Sequence, residues 1–167
     1  IQVCVDIFII YPSFVRHATE SAEDESVRLA THLAPDLQEA MKDPENFTLN
    51  MDLVQIIKAA ENHFNLYKLK LFNTDGLTLY STDRDEINVI NENRYLNRVV
   101  TQGTVLVKTV KKDTKSSEGR LVEADVVETY VPLVKNGNIT GALEIYYDIT
   151  EQRKKLAHQF WVSISLV

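Results

Sequence analysis

Residues 125–150 read DVVETYVPLVKNGNITGALEIYYDIT, and the rest of the chain is organised around them. Two β-rich runs, 126–134 and 139–149, flank Lys135-Asn136-Gly137-Asn138. Asn-Gly is the strongest short-range signal for a two-residue hairpin turn, because both central residues must tolerate φ > 0. The turn pairs Lys135 with Asn138. Continued at constant register, it sets Val131 opposite Ala142 and Thr129 opposite Glu144. Side chains alternate along a strand, so this register turns Glu128 and Tyr130 away from Glu144 and Tyr146, and the four could not line one pocket. The second run ends in Asp148-Ile149-Thr150, beyond which the pattern becomes helical, as for a sheet wired to something outside it.

The totals bound the class. At 167 residues the chain supports one domain with a proper core, and 44% hydrophobic with 25% charged residues is an ordinary globular composition. A net charge of −6 argues against a nucleic-acid surface, which needs clustered Lys and Arg. Lys111-Lys112 and Arg153-Lys154-Lys155 read as solvated faces. Cys4 is the only cysteine, so neither an intramolecular disulfide nor a Cys-based metal site can form.

The ends are apolar. Residues 1–15, IQVCVDIFIIYPSFV, and residues 160–167, FWVSISLV, are both shorter than the ~18–20 residues that cross a bilayer. They read as truncated pieces of two spanning helices with Tyr11 and Trp161 as interfacial residues, although Asp6 interrupts the first. Buried core helices, or a signal-peptide remnant at the first end, are the competing readings. The expected plan is the end of one membrane-spanning helix over 1–15, a single domain over 16–155, and the start of a second span over 156–167.

Between the ends the pattern alternates helix and hairpin. Residues 18–41 carry an apolar stripe (Ala22, Ala30, Leu33, Leu37, then Ala40 or Met41) at spacings of three and four, which predicts an amphipathic helix kinked or restarted at Pro35. Leu33 and Leu37 could pack on the domain's own sheet or on a second copy of the helix. Asn50 is a candidate N-cap for a helix over 51–64 with Leu53, Ile56, Ile57, Ala60 and Phe64 inward. Runs 66–72 and 77–82 form a hairpin about Asp75-Gly76, pairing Leu71 with Tyr80. A polar loop then leads to a short helix over 92–101, with Asn91 as candidate cap, Leu96, Val99 and Val100 inward and Gly103 as its stop. A third strand over 104–112 completes five. The fold class is α+β: a five-stranded antiparallel sheet flanked by helices, with a long N-terminal helix and a C-terminal exit helix.

The catalytic inventory is thin. The sequence holds no Gly-rich phosphate loop, His-Glu-x-x-His or Gly-x-Ser-x-Gly, and His17, His32, His63 and His158 are scattered. Asp83, Asp85 and Glu86 lack the glycine and distal glutamate of a calcium loop and read as an ordinary acidic loop. No catalytic residue, metal site or cofactor is expected. Polar residues inside strands stand out instead: Lys108, Glu128, Tyr130, Glu144, Tyr146 and Asp148, with Tyr80 in the first hairpin and Arg94-Tyr95 opening the short helix. Either one face of the sheet is wet, or some of these line a pocket beside it. The candidate ligand-binding set is Tyr80, Arg94, Tyr95, Lys108, Tyr130 and Tyr146, and the basic groups Arg94 and Lys108 suit a carboxylate.

YVPLVKNGNITGALEIYYDIT resembles the last hairpin, and LFNTDGLTLYSTD the first, of extracytoplasmic single Cache (PDC) sensor domains, and the order of elements from Ala18 to Lys155 matches as well. The resemblance implies a periplasmic or extracellular input domain of a bacterial or archaeal transmembrane receptor, such as a histidine kinase, diguanylate cyclase or chemoreceptor. It further implies a ligand site between the sheet and residues 82–101. The amino-acid-binding motif of the family has no clear match, so the ligand type is not carried over. The expected partners are a small-molecule ligand, the membrane through both termini, and a second copy through the N-terminal helix, with no nucleic acid. Two other readings remain open: a dimerisation or protein-interaction module without a ligand, and a cytosolic PAS-like cofactor-binding domain or enzyme.

Overall fold

The computed structural model describes residues 11–42, 47, 49, 51–64 and 66–165. Most of the N-terminal apolar run, Cys4 and the cap expected at Asn50 lie outside them. Helix α1 spans Tyr11–Ala40 and helix α2 Met51–His63. Strands β1 (Leu66–Phe72) and β2 (Thr78–Ser81) form the first hairpin. A single 3-10 turn, Arg84–Glu86, precedes α3 (Arg94–Gln102). Strands β3 (Leu106–Val110), β4 (Val126–Lys135) and β5 (Asn138–Asp148) follow, and α4 runs from Thr150 to Ser165. Among the described residues the five strands form one antiparallel sheet in the order β2-β1-β5-β4-β3, so the α+β expectation holds. Among the same residues, no helix is long and apolar enough to cross a membrane.

The stripe on α1 is buried at Ala22, Leu29, Ala30, Leu33 and Leu37. It joins Leu53, Ile57 and Ala60 of α2 in a core against Leu69, Leu71, Val127, Val131, Leu143 and Ile145 of the sheet. Leu33 and Leu37 are therefore committed to the domain's own sheet. The helix runs through Pro35 without a restart. Proline lacks an N–H and so withholds one backbone hydrogen bond, a loss that packing of the flanking Leu33 and Leu37 offsets. On α2 the stripe is narrower than expected, since Ile56 and Phe64 are exposed. The short helix starts two residues later than expected, and Asn93 rather than Asn91 caps it by accepting from the Tyr95 amide.

The main correction concerns register. Asn136 (φ +51°) and Gly137 (φ +79°) make the expected turn, and Lys135 pairs with Asn138 and Val134 with Ile139. The ladder then slips by one: Leu133 pairs with Gly141, Val131 with Leu143 and Thr129 with Ile145. Thr140 is the extra residue. Its hydroxyl donates to the Leu133 carbonyl at 3.1 Å and accepts from the Gln38 side chain at 3.3 Å. Gly141 follows because any Cβ there would stand 2.3 Å from the Phe72 carbonyl oxygen. A one-residue bulge exchanges the faces of everything beyond it. Glu128 now lies opposite Tyr146 and Tyr130 opposite Glu144, so all four side chains share one face of the sheet.

Candidate functional site

That face is the one turned away from α1 and α2. Register places on it Lys68, Lys70 and Phe72 of β1, Ala142, Glu144 and Tyr146 of β5, Glu128 and Tyr130 of β4, and Lys108 of β3. A sheet face left to solvent would be wet, but here Glu128 and Glu144 are fully buried and Lys70 is 2% exposed. The cover is α3, the loop after β2 and the segment between β3 and β4. Two apolar clusters pin it: Phe72, Tyr130 and Ala142 with Leu96 and Val99 at one end, and Val126 and Tyr146 with Val122 and Ala124 at the other. Polar groups fill the middle.

Lys70 is the hub. Its ammonium reaches Glu86 at 2.9 Å, Glu144 at 3.7 Å, and Glu118 by a short hydrogen bond. Glu86 also pairs with Lys68 at 2.8 Å and Arg120 at 2.9 Å, and accepts from the Ser81 hydroxyl at 3.0 Å. Asp83 and Asp85 are exposed as a loop should be, but the supposed ordinary acid beside them is an ion-pair centre 2% exposed. Burial pushes the Glu86 carboxyl up, yet hydrogen bonds from Lys68 and Lys70, and their charge, bring it below its ordinary range. Glu144 behaves oppositely. Full burial, with Glu118 nearby, holds its carboxyl well above the usual value despite Lys70. One oxygen accepts from the Tyr146 hydroxyl at 2.7 Å, and the other has no hydrogen-bond partner among the described residues. Burial works against charge on Lys70 too, but the surrounding carboxylates keep its ammonium raised. Since Glu144 is driven toward neutrality, Glu118 and Glu86 carry that effect.

A cavity of about 300 Å³ opens over this hub. Lys70, Thr78, Glu86, Asn91, Glu92, Asn93, Ser117, Glu118 and Arg120 give its polar lining, with Val89 and Ile90 at the apolar side. Its place, between the sheet and the loop leading into α3, is the one the sequence resemblance implied. Asn91 and Asn93 are set by turn chemistry: the Asn91 side chain accepts from the Asn93 amide at 2.9 Å, and the Asn93 side-chain oxygen caps α3.

The six residues expected from the sequence are distributed differently. Tyr130 is closest in role: its hydroxyl accepts from Asn93 at 3.0 Å and donates to Glu128 at 2.8 Å, which ties the cavity wall to the sheet. Tyr95 stacks on Tyr130 with centroids 6.3 Å apart, and Lys108 lies 5.8 Å from the Tyr95 ring. Arg94 is exposed and sits over the outer face of that ring at 5.3 Å. Tyr146 is buried under the hub. Tyr80 pairs with Leu71 and so faces the helix layer, where burial raises its hydroxyl pKa and Glu61 adds to the effect. None of the six is among the cavity's lining residues. Lys70, Glu86, Asn91, Asn93, Glu118 and Arg120, which do line it, were not in the expected set. A signal did exist for one of them: in LYKLKLF the lysines alternate with leucines, which places both on the face opposite the core.

No family model and no curated protein matches this sequence. Among solved structures the chain is similar to the ligand-binding domain of the Campylobacter jejuni chemoreceptor Tlp3 in complex with 4-methylisoleucine, at 16% identity and a TM-score of 0.65 over 91% of this chain and 59% of that one. It is also similar to the sensor domain of the V. cholerae histidine kinase DctB, at 14% and 0.62 over 90% of this chain and 55% of that one. The E.coli DcuS sensor domain matches at 14% and 0.58, over 84% and 96% respectively. The chain thus spans little more than half of the DctB and Tlp3 chains and nearly all of DcuS. Identities this low show the fold: it is that of these sensor domains.

Proposed function

We propose that this chain is the extracytoplasmic input domain of a transmembrane signalling receptor and that it binds a small carboxylate in the cavity above Lys70. The observation that carries the reading is a buried ammonium at the wall of a 300 Å³ cavity in a fold shared with receptor sensor domains. Convergent polar groups that fix orientation are what a small-molecule site requires, and here they make up most of the lining. Lys70 and Arg120 supply positive charge, Thr78, Asn91 and Asn93 supply directional hydrogen bonds, and Val89 and Ile90 meet an apolar portion of the ligand. The reading assigns no catalysis to the domain. It sets the domain outside the membrane, with α1 and α4 leading to it. Any pairing of two copies through α1 would use a face other than the one carrying Leu33 and Leu37, which the sheet occupies.

Thermal unfolding against a library of small carboxylates and amino acids tests the site. A ligand at a hundredfold excess over its Kd should raise Tm by about 5 to 10 °C. Arg120→Ala, at a half-exposed rim position, should weaken that shift, and Lys70→Met should abolish it. Shifts that are equal in all three proteins, or the absence of any hit, would remove the proposal.

A further inference from the structure

Between β3 and β4 the chain makes a tight turn at residues 116–119, closed by the Gly119 amide on the Ser116 carbonyl, with the Ser116 amide on the Arg120 carbonyl. Lys115, Gly119, Arg120 and Leu121 around the tip are exposed, as a turn at the surface should be. Glu118 is not: its side chain is 13% exposed and turned inward. One carboxylate oxygen takes the hydrogen bond from Lys70 and the other takes one from Asn91. The other bonds to the turn are polar as well: the Ser117 amide donates to Glu128 at 3.1 Å, Lys108 to the Ser117 hydroxyl at 3.3 Å, and Arg120 at its end pairs with Glu86 at 2.9 Å. Residues 116–120 are Ser-Ser-Glu-Gly-Arg, so no apolar side chain of the turn's own anchors it.

A carboxylate on a polar turn, bound to a buried ammonium and an amide at a cavity wall, presents the groups a carboxylate ligand would present. The charges agree with such an exchange. Lys68, Lys70, Lys108 and Arg120 stand around Glu86, Glu118 and Glu128, while Glu144 is driven toward neutrality and Glu92 is exposed at the rim. Withdrawing Glu118 leaves these four cations against Glu86 and Glu128, a positive excess that a ligand anion reduces. A ligand ammonium in the same place would meet Lys70 directly.

We propose that Glu118 is a tethered competitor for the anion position: a ligand carboxylate binds Lys70 and Asn91 by displacing it, and the tip of the turn at 117–119 leaves the sheet with it, while Arg120 stays paired with Glu86. The idea rests on the carboxylate-binding reading of the cavity and adds a displaceable segment whose position reports occupancy.

Acetate, the simplest carboxylate that can replace the missing side chain, is the probe. In Glu118→Ala, sodium acetate should restore thermal stability saturably, and sodium chloride at equal ionic strength should not. Apparent acetate affinity should exceed that of the wild type by about tenfold, as expected when a competing state is removed. Glu118→Gln keeps the bulk of the side chain and should also bind acetate more tightly than the wild type. In Lys70→Met/Glu118→Ala the acetate-specific gain should vanish. Equal acetate responses in wild type and both variants, or a gain that survives loss of Lys70, would overturn the proposal. Should neither variant fold, amide exchange of the wild type decides. Acetate in place of chloride should speed exchange at Ser117, Glu118 and Gly119, and unchanged rates would overturn it. The two readings fail separately: acetate rescue without any library hit sinks the receptor-ligand reading, and a hit without acetate rescue sinks the exchange.

Discussion

Replacing Glu144 by Gln separates two accounts of the buried hub that differ in sign. If Glu144 were a carboxylate paired with Lys70, its neutral isostere would break a buried ion pair, and such losses are about 3–5 kcal/mol. The geometry favours the other account. Glu144 is fully buried, the nearer of its oxygens to Lys70 is 3.7 Å away with no hydrogen bond, and burial holds the carboxyl well above its usual range. A raised carboxyl pKa makes the folded state bind a proton that the unfolded state has already released. The associated stability is complete below the unfolded value of 4.5 and is lost as pH rises through the window up to the folded value. Within that window the slope is about 1.4 kcal/mol per pH unit. Gln carries no such penalty and keeps an oxygen to accept from Tyr146. Urea denaturation of both proteins from pH 4.5 to 8 should therefore show near-equal stability at the acid end. Above it, Glu144→Gln should gain, by about 1 kcal/mol or more at pH 7.5. Glu86, lowered below its ordinary range, contributes a slope of opposite sign in both proteins, so the difference between them is dominated by Glu144. A loss near 3 kcal/mol at pH 7.5, or parallel pH profiles, would refute the reasoning.

Gly141→Ala should destabilise by about 1–3 kcal/mol in the same assay, because the added Cβ would meet the Phe72 carbonyl at 2.3 Å and Met41 at 2.7 Å. A neutral result would mean that the bulge is not fixed by close approach of β1. Tyr130→Phe leaves Asn93 and the buried Glu128 oxygen without their shared hydroxyl, which costs about 1–3 kcal/mol. Amide exchange at residues 91–95 should rise with it, and unchanged exchange would detach Tyr130 from the cavity wall. Asp125→Ala removes an acceptor shared by the Lys112 amide (3.0 Å) and Arg153 (2.8 Å). Ligand affinity should not fall, since loosening this anchor can only ease displacement of the Glu118 turn, while protection of the first turn of α4 does fall; a loss of affinity instead would place Asp125 in the ligand site.

The elements were legible because their signals are local. Asn-Gly and Asp-Gly marked the hairpins, stripes of three-four spacing marked α1 and α2, and Gly103 closed α3. The site was less legible because it depends on one residue that local signals do not weigh. Thr140 is unremarkable in a strand, and its effect arises from a glycine beside it, the Phe72 carbonyl of another strand and Gln38 on a helix about a hundred positions away. Constant register put Glu128 and Tyr130 on the wrong face, and the buried cluster dissolved into an ordinary alternation. Glu118 was harder still. It lies in a polar connection whose composition says only that it is exposed, and its inward turn follows from Lys70 and Asn91, which come from two other segments.

The same register explains how the cavity and the exit helix could be coupled. Lys70 lies opposite Glu144 on β5, the central strand, and Thr150 begins α4 six residues further along, about 20 Å at the rise of a strand. The junction is not a free linker. The Thr150 amide donates to Asp148 at 2.7 Å, and the Thr150 hydroxyl accepts from the Asp125 amide at 2.9 Å. Asp125 in turn holds Arg153 of α4 and the backbone just after β3. The first turn of α4 is thereby fastened to β5 and to both ends of the segment that carries the Glu118 turn. A ligand shifts such a system only by its difference in affinity between two arrangements. In the proposed exchange Glu118 would supply that difference, because a carboxylate ligand and the tethered carboxylate would compete for one ammonium. Displacing the turn would disturb the segment fixed at Lys112 and Asp125, and the Asp125–Arg153 pair would pass that disturbance to α4, whereas a rigid pocket closed over the same ligand would give α4 no reason to move.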